Sequence, residues 1–236
     1  MYGWSQGGGA TLAAASLGEY IAEKGTAADG VEFVGFVGMA PDDVAVLAPR
    51  TPLDGPAAEK VVGELAASFS DNVFNFAHFA MTIWATQAAF PGLELADVFT
   101  EEGARVVDEI FSNKCMHPGA DTMSHAYGRE YRSLLRPGAR NPVAWVEALV
   151  RGSVPPVKPV APVILYWGTK DTTVPPVMGQ LYREQMCKLG GNVARVQLPG
   201  AQDHFATPAK SAPLYVPWIK DRFAGKPVED GCKAGS

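Results

Sequence analysis

Apolar positions along this chain fall into two textures. Near both ends they gather into short, near-continuous runs bounded by glycine and proline, whereas between those regions they recur at helical spacing. Val31-Glu32-Phe33-Val34-Gly35-Phe36-Val37-Gly38 is one such run, rich in β-branched and aromatic residues. It predicts a buried strand in a sheet covered on both faces. Pro162 to Trp167 predicts a second strand and Val193 to Leu198 a third. Helices are expected between and after them. Gly8 to Lys24 is rich in Ala and Leu, with Leu12, Leu17, Tyr20 and Ile21 near helical spacing and Gly25 as a stop. Val177 to Leu189 follows Pro175-Pro176 and ends at Gly190-Gly191, and a last helix runs from Leu214 to Phe223, before Gly225.

From about Pro52 to Pro159 no strand pattern is evident and helical patterns dominate. Glu59 to Phe69 is amphipathic; Phe74 to Phe90 is more apolar and contains Phe76, Phe79, Met81, Ile83 and Trp84. Thr100 reads as an N-cap, with Glu101 and Glu102 where the helix dipole favours anions. Asn141-Pro142 reads as another helix start, a cap followed by proline at the first helical position. The expected organisation is therefore an α/β core over residues 1–51, a helical cap insertion over 52–160, and a return to the core over 161–236.

Chemistry enters at the start of the chain. Gly3-Trp4-Ser5-Gln6-Gly7 fits Gly-x-Ser-x-Gly, a sharp strand-to-helix turn that presents a serine hydroxyl. A serine in a sparsely populated backbone conformation needs neighbours without bulk, the duty assigned here to Gly3 and Gly7. Gly8 and Gly9 are expected to let the following helix pack close to the strand. In a chain with 25 glycines such spacing also arises by chance, so its context decides its weight. In parallel α/β sheets, functional groups gather at the carboxyl ends of strands. Three predicted ends carry Ser5, Asp171 and His204, in the order nucleophile, acid, histidine.

The roles follow from proton movement. A serine hydroxyl is a poor nucleophile until a base takes its proton, and an imidazole takes and returns protons near neutral pH. Ser5 is thus the candidate nucleophile, His204 the base and Asp171 the acid that fixes the imidazole. The Gln6 backbone N–H, at the start of the helix, is the candidate oxyanion donor, a contact worth roughly 3–4 kcal/mol. Asp42 and Asp43 are runners-up for the acid; Asp203 adjoins His204 but is expected to point away from its ring. His78, His117 and His125 fall in the helical block and read as packing or surface residues. The Phe74–Phe90 stripe reads as core of that block, with an acyl-binding lining as the alternative.

Composition narrows the classes. Hydrophobic content of 47% and charged content of 19% suit a folded globular chain. A net charge of −5 with scattered Lys and Arg argues against nucleic acid as a partner. No run approaches the roughly 20 apolar residues of a spanning helix. Because the elbow already occupies the first residues, no secretory signal is expected in the chain as it stands. Cys115, Cys187 and Cys232 show no metal-ligand spacing. A Cys187–Cys232 bridge and three separate thiols are both compatible with the sequence.

The segments Gly3-Trp4-Ser5-Gln6-Gly7-Gly8, Gly168-Thr169-Lys170-Asp171-Thr172-Thr173-Val174-Pro175 and Gln202-Asp203-His204 resemble the secretory lipase family of α/β-hydrolases, the lipase A type. The similarity extends through Arg222-Phe223-Ala224-Gly225-Lys226-Pro227. The resemblance implies hydrolysis of carboxylic esters without a cofactor, a helical cap inserted between strands, and Ser5, Asp171 and His204 as triad. It implies secretion by analogy, and a small-molecule ester or lipid as substrate. Members of the family carry early strands, and a loop with a second oxyanion donor, before the elbow; here only Met1 and Tyr2 precede Gly3. Two expectations follow: an open sheet edge that favours a homo-oligomer, and turnover lowered about 100- to 1,000-fold by a missing donor. A catalytically impaired fragment serving as a binding or assembly module is the competing reading.

Overall fold

The computed structural model describes residues 1–47 and 51–233. The chain forms two compact units, Met1–Leu47 together with Ser153–Ser236, and Ala48–Gly152. The second boundary falls earlier than the sequence pattern suggested, because residues 153–160 pack with the first unit: the Val160 N–H donates to the Ala15 carbonyl at 2.9 Å. The first boundary lies beside residues 48–50, outside the described residues.

In the first unit β1 (Tyr2–Trp4), β2 (Phe36–Met39), β3 (Val163–Trp167) and β4 (Val193–Gln197) run parallel in the order β1-β2-β3-β4. Register places Gly3, Gly38, Leu165 and Arg195 in one row and Trp4, Met39, Tyr166 and Val196 in the next. Successive strand side chains point to opposite faces, so the two rows face different helices. Helix α9 (Thr207–Phe223) covers the second row, with Tyr215, Trp218 and Ile219 packed on Val37, Met39, Ile164 and Tyr166. The other face carries α1 (Gln6–Ala15) and α8 (Val177–Lys188). There Gly179 lies so close to the Trp167 ring that a Cβ would stand 2.1 Å from it. β3 is buried at every position, which is why it reads as a continuous apolar run. Each such side chain stabilises the fold by about 1.5–3 kcal/mol.

Three elements differ from expectation. The first helix ends at Ala15 and a short α2 (Gly18–Ala22) follows, because the Ala15 carbonyl that would continue the ladder accepts from Val160 instead. β2 begins only at Phe36, opposite Val163. The partner strand is preceded by Pro162, which has no N–H to extend the pairing. Helix α9 starts at Thr207, well before Leu214, with Pro208 in its first turn and Pro213 and Pro217 inside.

The second unit is helical: α3 (Gly55–Ser68), α4 (Val73–Ala89), α5 (Glu101–Phe111), α6 (Met116–Tyr127) and α7 (Pro142–Arg151). Asp54, Asn72 and Thr100 cap α3, α4 and α5 through their side chains, accepting from Ala57, Asn75 and Gly103. Asn141 precedes α7 at φ 50° but makes no side-chain cap; its amide donates to the Gly92 carbonyl. The core of this unit includes Phe76, Phe99, Met123, Leu134 and Trp145. Trp145 Nε1 donates to Asp97 at 3.1 Å, which satisfies the one polar atom of a fully buried indole.

Candidate active site

β1 ends at Trp4 and α1 begins at Gln6, leaving Ser5 alone to make the turn. It does so at φ 54° and ψ −123°, a region that costs an L-residue about 1–3 kcal/mol. Surrounding hydrogen bonds hold it there. The Ser5 N–H donates to Met39 at 2.9 Å, and its carbonyl accepts from Gly9 and Asp42, each at 3.0 Å. The close approaches need glycine at particular places. A Cβ on Gly3 would stand 2.1 Å from the Gly7 carbonyl oxygen, and one on Gly9 would stand 2.2 Å from that of Asp42. Gly7 differs from its expected duty: a Cβ there would meet nothing within 4 Å.

The other two groups arrive from neighbouring strand ends. Asp171 follows β3 and His204 follows β4. Their loops are pressed together: the Lys170 N–H donates to the Gln202 carbonyl at 2.8 Å, and a Cβ on Gly168 would lie 2.3 Å from that carbonyl oxygen. Asp171 Oδ1 accepts the N–H groups of Thr173 (3.0 Å) and Val174 (2.7 Å), a local turn that fixes the carboxylate. Trp167 Nε1 in turn donates to the Val174 carbonyl at 2.9 Å. The free oxygen, Oδ2, faces His204 Nδ1 at 2.8 Å, and His204 Nε2 faces Ser5 Oγ at 3.0 Å. Both Asp171 and His204 are buried. Ser5 makes no side-chain cap on α1, so its hydroxyl is directed to the imidazole rather than to the helix.

The remaining candidates sort themselves. Gln6 is the first residue of α1, where backbone N–H groups lack intrahelical acceptors, and it lies beside Ser5. Asp203 accepts from the Ala206 N–H at 2.8 Å, turned toward the start of α9. Asp42 engages the elbow through its backbone, while Asp43 acts on Tyr182, whose hydroxyl burial, with that carboxylate nearby, holds well above the usual tyrosine range. In the helical unit His78 lies against Phe69 and His117 against Phe74, while His125 is exposed. Cys187 and Cys232 form a disulfide, and Cys115 is a free, exposed thiol. Among the described residues no group of three or more His, Cys, Asp or Glu is placed to hold a metal ion. No described helix is long and apolar enough to cross a membrane.

A parallel sheet with helices on both faces, and a strained serine between strand and helix, define the α/β-hydrolase fold. Solved structures agree. The ligand-bound rice cell wall degrading esterase LipA from Xanthomonas oryzae superposes with a TM-score of 0.68 at 20% identity, covering 96% of this chain and 58% of that one. Closed-state Candida antarctica lipase A matches at 0.65 and 16% identity, covering 98% and 50%. A putative hydrolase from Legionella pneumophila matches at 0.58 and 16%, covering 97% and 57%. The chain therefore spans 50–58% of the length of these proteins. No curated protein matches it by sequence. Residues 147–231 match the family model of the secretory lipases, and by that match and its fold the chain resembles that family.

Proposed function

We propose that this chain is a serine carboxylic ester hydrolase that cleaves short- to medium-chain acyl esters through an acyl-enzyme. The observation that carries the reading is the unbroken polar line from Ser5 Oγ through both nitrogens of His204 to Asp171. In the first half-reaction Ser5 Oγ bonds to the ester carbonyl carbon while its proton passes to His204 Nε2. Asp171 keeps the Nδ1 proton in place and stabilises the imidazolium. The carbonyl oxygen, now negative, lies at the N-terminus of α1, where the Gln6 N–H is the proposed donor. Collapse expels the alcohol, which takes the proton back from His204. Water repeats the sequence and releases the carboxylic acid.

A fluorophosphonate probe tests this reading. Stoichiometric adduct at Ser5, absent from Ser5→Ala, supports it; folded protein that stays unlabelled favours a binding or assembly module. Secretion is proposed by analogy with the matched family. Self-association is proposed because, among the described residues, β1 pairs with β2 alone and Tyr2 is 63% exposed at that edge. A monodisperse monomer by light scattering at micromolar concentration overturns it.

A further inference from the structure

Trp4 fills a position that Gly-x-Ser-x-Gly leaves unspecified, yet it touches the histidine twice. Its indole Nε1 donates to the His204 carbonyl at 3.2 Å. Its ring centre stands 5.0 Å from that of the imidazole, with the planes 34° apart. The same indole meets Phe205 edge-on, and Phe205 stands at 86° to the imidazole. Trp4 also packs on the sheet core, directly before Ser5. One strand end thus fixes the serine through the backbone and the histidine through a side chain.

We propose that Trp4 is a positioning residue for His204: its N–H anchors the histidine loop, and its π face stabilises the imidazolium formed when Ser5 gives up its proton. The proposal rests on the ester-hydrolase reading above. Tryptophan is the strongest aromatic partner for a cation, effective within about 6 Å of the ring centre, and more so where water is excluded. His204 is only 3% exposed. A neutral imidazole gains less from the ring than an imidazolium does, so the contact favours the transition state over the bound ester. The effect therefore falls on kcat and on the acid limb of the pH profile, not on KM. Charged groups on the surrounding elements include Asp171, bonded to the ring, Asp203, turned to the Ala206 N–H, Lys170 in the acid loop, Asp42 and Asp43 after β2, Lys210 on α9 and the Met1 ammonium before β1. Replacing Trp4 changes none of these charges.

Site-specific replacement of Trp4 by mono-, di- and trifluorotryptophan drains the π face while keeping its shape and its N–H. The expected result is a stepwise fall in kcat with KM steady within about twofold. The acid limb of kcat/KM is expected to shift stepwise to lower pH. Trp4→Leu, which removes the N–H as well, is expected to lose about tenfold in kcat and move the limb by about 0.5–1 pH unit. If Trp4→Leu does not fold, the fluorinated series still decides. An unmoved acid limb across that series overturns the proposal, as does a rise in KM at constant kcat, which would make Trp4 part of the ester pocket. NMR titration of the His204 imidazole reads the same shift without turnover. If the wild type neither labels nor hydrolyses esters, the function reading fails, and the titration alone then upholds or rejects the role of Trp4.

Discussion

At Gly3 one methyl group would collide with the Gly7 carbonyl and come within 2.7 Å of the Thr11 hydroxyl, whereas at Gly7 it would meet open space. The two glycines of the elbow therefore carry unequal steric loads. Gly3→Ala is expected to displace α1 from β1, costing about 1–3 kcal/mol by overpacking and most ester hydrolysis. Gly7→Ala, in the first turn of α1, is expected to be neutral or to stabilise by up to about 1 kcal/mol, with activity retained. Thermal melts and probe labelling of the two variants check this, and equal damage in both would contradict it. Asp171→Asn is expected to fold yet lose about 10⁴-fold in kcat, because an amide no longer holds the productive imidazole tautomer. Steady-state hydrolysis of a short-chain ester measures that loss. The candidate site of Ser5, Asp171 and His204 was legible in the sequence because each follows a strand, in a motif with its own local chemistry. Trp4 was not, since an aromatic residue in a strand looks the same whether it packs on core or on an imidazole of the candidate site. The steric freedom at Gly7 was illegible too, because a motif records residue identity and not what stands opposite.

Among the elements, α8 and the segment around Cys232 are joined covalently. The disulfide joins Cys187 on α8 to Cys232, with Cα atoms 5.7 Å apart and 45 residues of separation. Polar contacts reinforce it: Arg183 donates twice to the Gly231 carbonyl, at 2.8 and 3.0 Å, and Asn192 accepts from the Gly231 N–H at 2.9 Å. A Cβ on Gly231 would stand 2.4 Å from the Ala194 nitrogen, so this segment lies directly on β4, the strand at the far edge from β1. Covering an edge in this way blocks strand pairing with another chain. Reduction, or Cys232→Ser, is expected to lower unfolding free energy by about 2–4 kcal/mol through the released loop, while ester hydrolysis at ambient temperature persists. Urea titrations with and without reductant check this, with the double variant Cys187→Ser/Cys232→Ser as the reductant-insensitive control. Cysteine spacing left this pairing open because spacing does not reveal which thiols meet. Helix limits were similarly half legible. Thr100 caps α5 locally through its own turn and was legible, whereas Asn141 turns its amide to Gly92 instead of capping α7, and the break after Ala15 comes from Val160, far along the chain.

For the whole molecule, the alternation of strands and helices was readable because a parallel sheet covered on both faces demands apolar runs, and β3 meets that demand at every residue. The same burial that made the sheet legible sets its response to alkali. Tyr166 lies on β3 in the row with Trp4 and Met39, under α9, and burial pushes its hydroxyl up to about 12. Tyr182 on α8 is held above the usual range by burial and by the Asp43 carboxylate. Both hydroxyls thus bind their proton more tightly in the folded chain than in the unfolded one, where tyrosine titrates near 10. The resulting stability is present in full below about pH 10. As pH rises from there through about 12, the unfolded state sheds protons that the folded state retains, so unfolding becomes progressively easier. Urea midpoints are accordingly expected to stay flat from about pH 8 to 10 and to fall steeply above it. Tyr166→Phe and Tyr182→Phe together are expected to flatten that descent, because phenylalanine has no proton to lose. Tyr182→Phe carries a second signature near neutral pH. Its hydroxyl is buried with no hydrogen-bond partner among the described residues, so its removal is expected to leave stability unchanged or raise it by about 1 kcal/mol. An alkaline descent as steep in the double variant as in the wild type would place the pH sensitivity elsewhere in the molecule, away from the sheet and α8.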